Sequence, residues 1–194
     1  MTQEYENHQI IRIDGKNKFV EILNRNFDIG KVTMTFVEYD EKQSAGNRIV
    51  AQIPIFWNFP EFRRFAQDVL SGRYAAMAKE AKGPLESLLK GTSVERLQKQ
   101  GRPRPDGKAE SRKFSLSPST KGFFFTAELG PGVATETGLI KPDGKAEKKV
   151  SIPITPEHAK ELVLATLAAM NAYESAKETT KQLEALFKSQ GILK

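Results

Sequence analysis

Cysteine is missing from this chain of 194 residues. Its absence excludes disulfides and thiolate-held metals, and it fits a reducing compartment. Histidine is almost missing too: the chain has 2, His8 in a polar N-terminal stretch and His158 in the first turn of a helical pattern. With no His-Glu-x-x-His and no paired ligand spacing, no metal site is expected. Gly-x-Ser-x-Gly does not occur. Gly130, Gly132 and Gly138 do not match a phosphate-binding loop, and Gly91-Thr92-Ser93 lacks the upstream glycine and the lysine of one. The chain is therefore expected to be no enzyme and to need no cofactor. Long apolar runs are also lacking. None approaches the roughly 18 residues of a membrane span, so no membrane partner is expected. Met1-Thr2-Gln3-Glu4-Tyr5-Glu6 is acidic and polar, unlike a signal peptide, and the expected location is the cytoplasm.

What the chain does have is charge, unevenly placed. The net charge is +6. Residues 1–81 and 122–194 are each neutral in balance, and residues 82–121 carry the whole excess. A basic segment between two neutral blocks is either a polyanion contact or a solvated linker. With 39% hydrophobic residues the chain holds a modest core, enough for one domain or two small ones.

The chain also repeats itself. Arg48-Ile49-Val50-Ala51-Gln52 alternates like a strand and runs into Ile53-Pro54-Ile55, then Phe56-Trp57-Asn58-Phe59, then Pro60-Glu61 and a helical pattern with Phe62, Phe65, Ala66, Val69 and Leu70 on one face. Lys148-Lys149-Val150-Ser151 runs into Ile152-Pro153-Ile154-Thr155, then Pro156-Glu157-His158 and a helical pattern with Leu162, Val163, Leu167 and Met170 inside. Proline cannot donate to a ladder, so each Ile-Pro-Ile belongs at a sheet edge or past the last pairing. Proline in a first helical turn starts a helix well. The unit is therefore strand, hinge, helix, used twice. A smaller repeat, Pro105 to Glu110 and Pro142 to Glu147, has the Pro-Asp-Gly chemistry of turns and is read as two hairpin turns.

In chain order, residues 1–9 are expected to be a disordered tail and residues 10–82 a first strand-helix unit. Asp14-Gly15 turns the first hairpin, and Lys31 to Tyr39 is the clearest strand, with Val32, Met34 and Phe36 on one face. Residues 83–110 are expected to be a basic linker, with a short helix at Leu85, Leu88 and Leu89 and a mobile loop after Gly91. Residues 111–173 form the second unit, with strands at Arg112 to Ser117, Phe123 to Leu129 and Val133 to Ile140. Residues 174–194 form a charged helical tail carrying Leu183, Leu186 and Phe187. The fold class is α+β, with two pseudo-repeated units of antiparallel strands, each followed by a helix, forming one curved antiparallel sheet packed on helices.

An antiparallel sheet with helices on one face leaves its other face to solvent. In Phe123-Phe124-Phe125 successive rings alternate, so at least one points away from the helices. Bases stack on exposed rings while lysine and arginine neutralise phosphates. The candidate nucleic-acid-binding residues are Lys31, Arg48, Arg102, Arg104, Arg112, Lys113 and Lys121 for phosphates, and Tyr39, Phe123 and Phe125 for bases. Phe123 and Phe125 have an alternative place in a buried interface, and Trp57 in the core.

The duplicated strands-then-helix order, with basic hairpins and aromatic strands, resembles the Whirly class of single-stranded DNA-binding proteins and the related coactivator positive cofactor four. The resemblance spans about Phe19 to Ala172. It implies a curved antiparallel sheet, single-stranded DNA as ligand with RNA as the other polyanion, and a homo-oligomer assembled through helices. The lysine-rich strand motif of plant Whirly proteins does not occur here, so no family residue is carried over. The expected function is sequence-tolerant single-stranded DNA binding in replication, recombination or transfer. The alternative is a non-enzymatic structural or scaffold protein, a phage component for example, that self-assembles and binds no nucleic acid.

Overall fold

A computed structural model describes residues 7–44, 46–81 and 83–190; the first six residues of the expected tail lie outside it. The chain forms β1 (Gln9–Gly15), β2 (Lys18–Leu23), β3 (Lys31–Tyr39), β4 (Ile49–Asn58), α1 (Phe59–Leu70), α2 (Arg73–Met77), β5 (Glu86–Thr92), α3 (Val94–Lys99), β6 (Ala109–Ser119), β7 (Gly122–Ala134), β8 (Ile140–Pro142), β9 (Lys148–Ile154) and α4 (Pro156–Ser189). The class is α+β, as expected. Its antiparallel strands divide between two sheets, one ordered β1-β2-β3-β4 and the other β5-β6-β7, with β8 and β9 sharing the far edge of β7.

The two units match at the level of strand register. Thr35 pairs with Pro54 and Phe36 with Ile53 in the first sheet. Phe124 pairs with Pro153 and Phe125 with Ile152 in the second. One strand further in, Val20 lies opposite Phe36, and Leu116 opposite Phe125. Each unit is thus four antiparallel strands and a helix, with its Ile-Pro-Ile on an edge strand where a missing N–H breaks no second ladder. The second unit adds two pieces, α3 between β5 and β6, and β8 between β7 and β9.

Alternation then builds the core. Val32, Met34 and Phe36 point inward with Ile53, Ile55 and Trp57, and so do Phe114, Leu116, Phe123, Phe125, Ile152 and Ile154 from the other sheet. Phe62 and Phe65 of α1 and Leu162, Val163 and Met170 of α4 complete it. At its centre the Trp57 ring lies 5.2 Å from Phe114, and Phe114 lies 5.5 Å from Phe125, both edge to face. Burying each such side chain contributes about 1.5–3 kcal/mol, which ties the two units into one body.

Both helices begin as their prolines imply. The Asn58 N–H donates to Glu61 Oε2 at 2.9 Å, and the His158 N–H donates to Thr155 Oγ1 at 3.1 Å. From Glu174 onward α4 leaves the body, and its apolar Leu183, Leu186 and Phe187 are exposed.

Residues 83–110 depart from expectation. Leu85, Leu88 and Leu89 do not open a helix. Residues 86–92 are a strand, paired along its whole length to β6. Three leucines at such short spacing suit either period, and the unpaired edge of β6 decides, because its backbone groups need partners. The stretch after Gly91 is not a bare loop either. Ser93 caps α3, and Leu97 inserts into the protein with 1% exposure. The repeated Pro-Asp-Gly segments do turn the chain, but neither closes a two-strand hairpin. They meet each other instead. Lys108 of the first donates to Asp143 of the second at 2.6 Å, and Arg104 bridges Asp106 and Glu147.

Candidate functional site

The basic segment and the first unit face each other across a groove of about 330 Å3. One wall comes from the first unit: Asn26, Ile29, Lys31, Phe56 and Asn58. The other comes from β5, α3 and β6, with Lys90, Arg96 and Arg102 above Thr92 and Arg112. Five cationic side chains line it and no carboxylate does. Two carboxylates support it from behind. Lys90 Nζ donates to Glu61 at 2.7 Å, tying β5 to the start of α1. Glu110 accepts from Arg112 Nη2 and lies 3.8 Å from Arg102.

Arg112 is the unusual member. It lies on the same side of β6 as Phe114 and Leu116, so the strand carries it inward, and the residue is 4% exposed. Nη1 donates to Thr92 Oγ1 at 3.2 Å, while Nε is buried with no partner. Burial pushes its pKa down against the pull of Glu110. The guanidinium also stands 5.7 Å from the ring of Phe56, which is half-buried on the outer side of β4. A positive, partly desolvated cleft beside an aromatic ring suits a phosphate with an adjoining base.

Of the ten residues singled out from sequence, Lys31, Arg102 and Arg112 converge here. The others disperse. Tyr39 lies at the end of β3 on the outer face, its ring 6.1 Å from Phe19, over which Arg12 stacks at 3.6 Å. Arg48 is exposed beyond the start of β4 and donates to the Gln43 carbonyl. Lys113 lies on the outer face of β6, and Lys121 in the turn before β7. Arg104 is a structural clamp: its hydrogen bonds to Glu147 and Asp106 raise its pKa, and its side chain is 10% exposed. Phe123 and Phe125 are 5% and 0% exposed. They cannot stack on a base from there. The ring turned outward is Phe124, at 40% exposure, beside Ser117 and Pro153.

Lys90, Arg96 and Phe56 were missed by sequence reasoning. Arg96 had a signal, since Ser93 with Glu95 two residues on is a helix start that places Arg96 in the first turn. Phe56 had one in its alternation with the buried Ile55 and Trp57. Among the described residues no group of three or more histidine and acidic side chains is placed to hold a metal ion. No helix among them is long and apolar enough to cross a membrane. The chain matches no known protein family and no curated protein.

Proposed function

We propose that the protein binds single-stranded DNA with little regard to sequence, in the service of replication, recombination or transfer, and that it catalyses nothing. The observation that carries this reading is the groove, where five cations and one half-exposed ring gather between the two units. The duplicated order of antiparallel strands followed by a helix supports it, being the order on which the likeness to the Whirly class rests. The strand lies with phosphates against Lys31, Arg96, Arg102 and Arg112 and with a base on Phe56. Phe124 and Tyr39 are further stacking positions on the outer sheet faces.

The test is fluorescence anisotropy of labelled oligothymidine against salt. With three to five phosphates neutralised, log K falls against log salt with a slope of about −2 to −3.5, at about −0.7 per phosphate on a single strand. Phe56→Ala weakens binding by about 1–3 kcal/mol, the worth of one stacked base. No measurable affinity at low salt would overturn the reading.

A second reading is a self-assembling scaffold that binds no nucleic acid. It is favoured by the distal part of α4, whose Leu183, Leu186 and Phe187 stand exposed on one long helix. Neutralising Lys31, Arg96 and Arg102 separates the two: it abolishes oligothymidine binding under the first reading and leaves assembly unchanged under the second. Arg104 and Arg112 are unsuitable for that comparison, because their loss would disturb the fold.

A further inference from the structure

The groove holds more detail than a general attraction for polyanions requires. Arg96 and Arg102 are exposed at its rim, whereas Arg112 is buried and held. Its Nη1 donates to Thr92 and its Nη2 to Glu110, while its third nitrogen, Nε, is buried with no acceptor. A buried donor without a partner is costly, and an uncompensated buried charge is costlier still. Glu110 meets only part of that demand, because it also serves Arg102. Against five lining cations stand two carboxylates, Glu61 and Glu110, so the groove retains an excess of positive charge. Lys31 and Arg96 form no ion pair among the described residues.

We infer that the floor of this groove is a seat for one phosphate group, in which Arg112 is the fixed donor, Arg96, Arg102 and Lys31 close over the anion, and Glu110 holds the guanidinium in place until the anion arrives. Where the phosphate belongs to a strand, this deepens the DNA-binding reading and rests on it. The strand is then gripped at one defined phosphate next to the base on Phe56, and more loosely elsewhere. An Arg–phosphate contact of this kind is charge-assisted and stronger than a neutral hydrogen bond.

The seat is tested with inorganic phosphate at low millimolar concentration, against chloride at equal ionic strength, by thermal unfolding and calorimetric titration. The wild type shows saturable phosphate binding and a rise in Tm that chloride does not produce. The Arg96→Gln/Arg102→Gln variant, changed only at exposed side chains, loses at least tenfold in phosphate affinity while its circular dichroism is unchanged. Glu110→Gln removes the resident carboxylate, so its Tm in chloride is lower than that of the wild type and phosphate raises it by more. If phosphate raises Tm equally in the wild type and in the Arg96→Gln/Arg102→Gln variant, the seat does not exist. Saturable phosphate binding that fails to weaken oligothymidine binding also overturns the grip on the strand, while leaving DNA binding elsewhere on the molecule intact. Phosphate binding without any oligothymidine affinity supports the seat and overturns the DNA reading alone.

Discussion

The first and second units share one plan and differ in what is inserted into it. In both, a proline on an edge strand sits opposite the same position of its neighbour, Thr35 in one and Phe124 in the other. The next inward positions, Phe36 and Phe125, are both fully buried. The inserted pieces belong to the second unit alone. The segment carrying α3 brings Arg96 and Arg102 to the groove, and β8 packs Ile140 against glycines of two neighbouring strands. Shared parts make the core, and the added α3 segment completes a candidate site whose Lys31, Phe56, Lys90 and Arg112 stand on shared strands. The comparison also accounts for half of the lopsided charge: residues 93–108, which the first unit lacks, hold five basic and two acidic residues, and the rest of the excess lies in residues 82–92 and 109–121.

The equivalence is broken most severely in the core. Phe36→Ala and Phe125→Ala are each expected to cost about 3–5 kcal/mol, the usual loss for truncating a buried phenylalanine. Urea unfolding measures both. If one is severe and the other mild, the two positions are not equivalent.

A smaller effect separates the units. A Cβ built on Gly91 would stand 2.2 Å from Ile140 Cβ, closer than any real contact. Gly91→Ala therefore displaces β8 and costs about 1–3 kcal/mol, as overpacking does. The first unit has no counterpart to β8. A substitution without effect on stability would show that β8 is loosely held.

The smallest effect is on acid stability. Arg104 holds the Asp106 carboxyl down, from its ordinary 3.8 to about 2, and holds Glu147 below its ordinary value by the same means. Burial alone would raise the Glu86 carboxyl, but hydrogen bonds from Arg64 and Tyr74 outweigh it and hold it low. A carboxyl whose folded pKa is depressed contributes stability above its unfolded pKa and loses it as pH falls through the folded value. Stability should therefore be steady well above pH 4.5, begin to decline as the pH falls through 4.5, where the glutamates ordinarily titrate, and go on declining to about 2. In Arg104→Gln, carboxyl NMR should find Asp106 titrating higher, moved toward its ordinary 3.8 but still held below it by the Lys108 N–H. An unmoved titration would mean that the clamp between the two Pro-Asp-Gly segments does not form in solution.

How much of this could be read beforehand depended on the range of the physics involved. The hinges were legible because proline acts on its own φ and its own missing N–H, wherever the chain goes. The strand of Lys31 to Tyr39 was legible from its alternation. For Phe123 to Phe125, alternation established that neighbouring rings part company, but not which of them faces out. Pairing with Ile152 and Leu116 settles that, and those partners lie on strands before and after β7. Leu85 to Leu89 was misread for a related reason. Whether that run becomes helix or strand is decided by the unsatisfied edge of β6, more than twenty residues downstream. The two Pro-Asp-Gly segments were readable as turns, yet nothing local says that Lys108 reaches Asp143.

The site follows the same division. That residues 82–121 are basic is a matter of composition. That Lys31 from one unit joins Arg96, Arg102 and Arg112 from the other, while Arg104 is withdrawn into a clamp, is a matter of packing. Local backbone preference sets where this chain turns, starts a helix or ends a strand, because those energies depend on a few neighbouring residues. Which charge is buried, which ring is exposed and which cations share a cleft depend on what lies opposite each strand, and only the assembled sheets supply that.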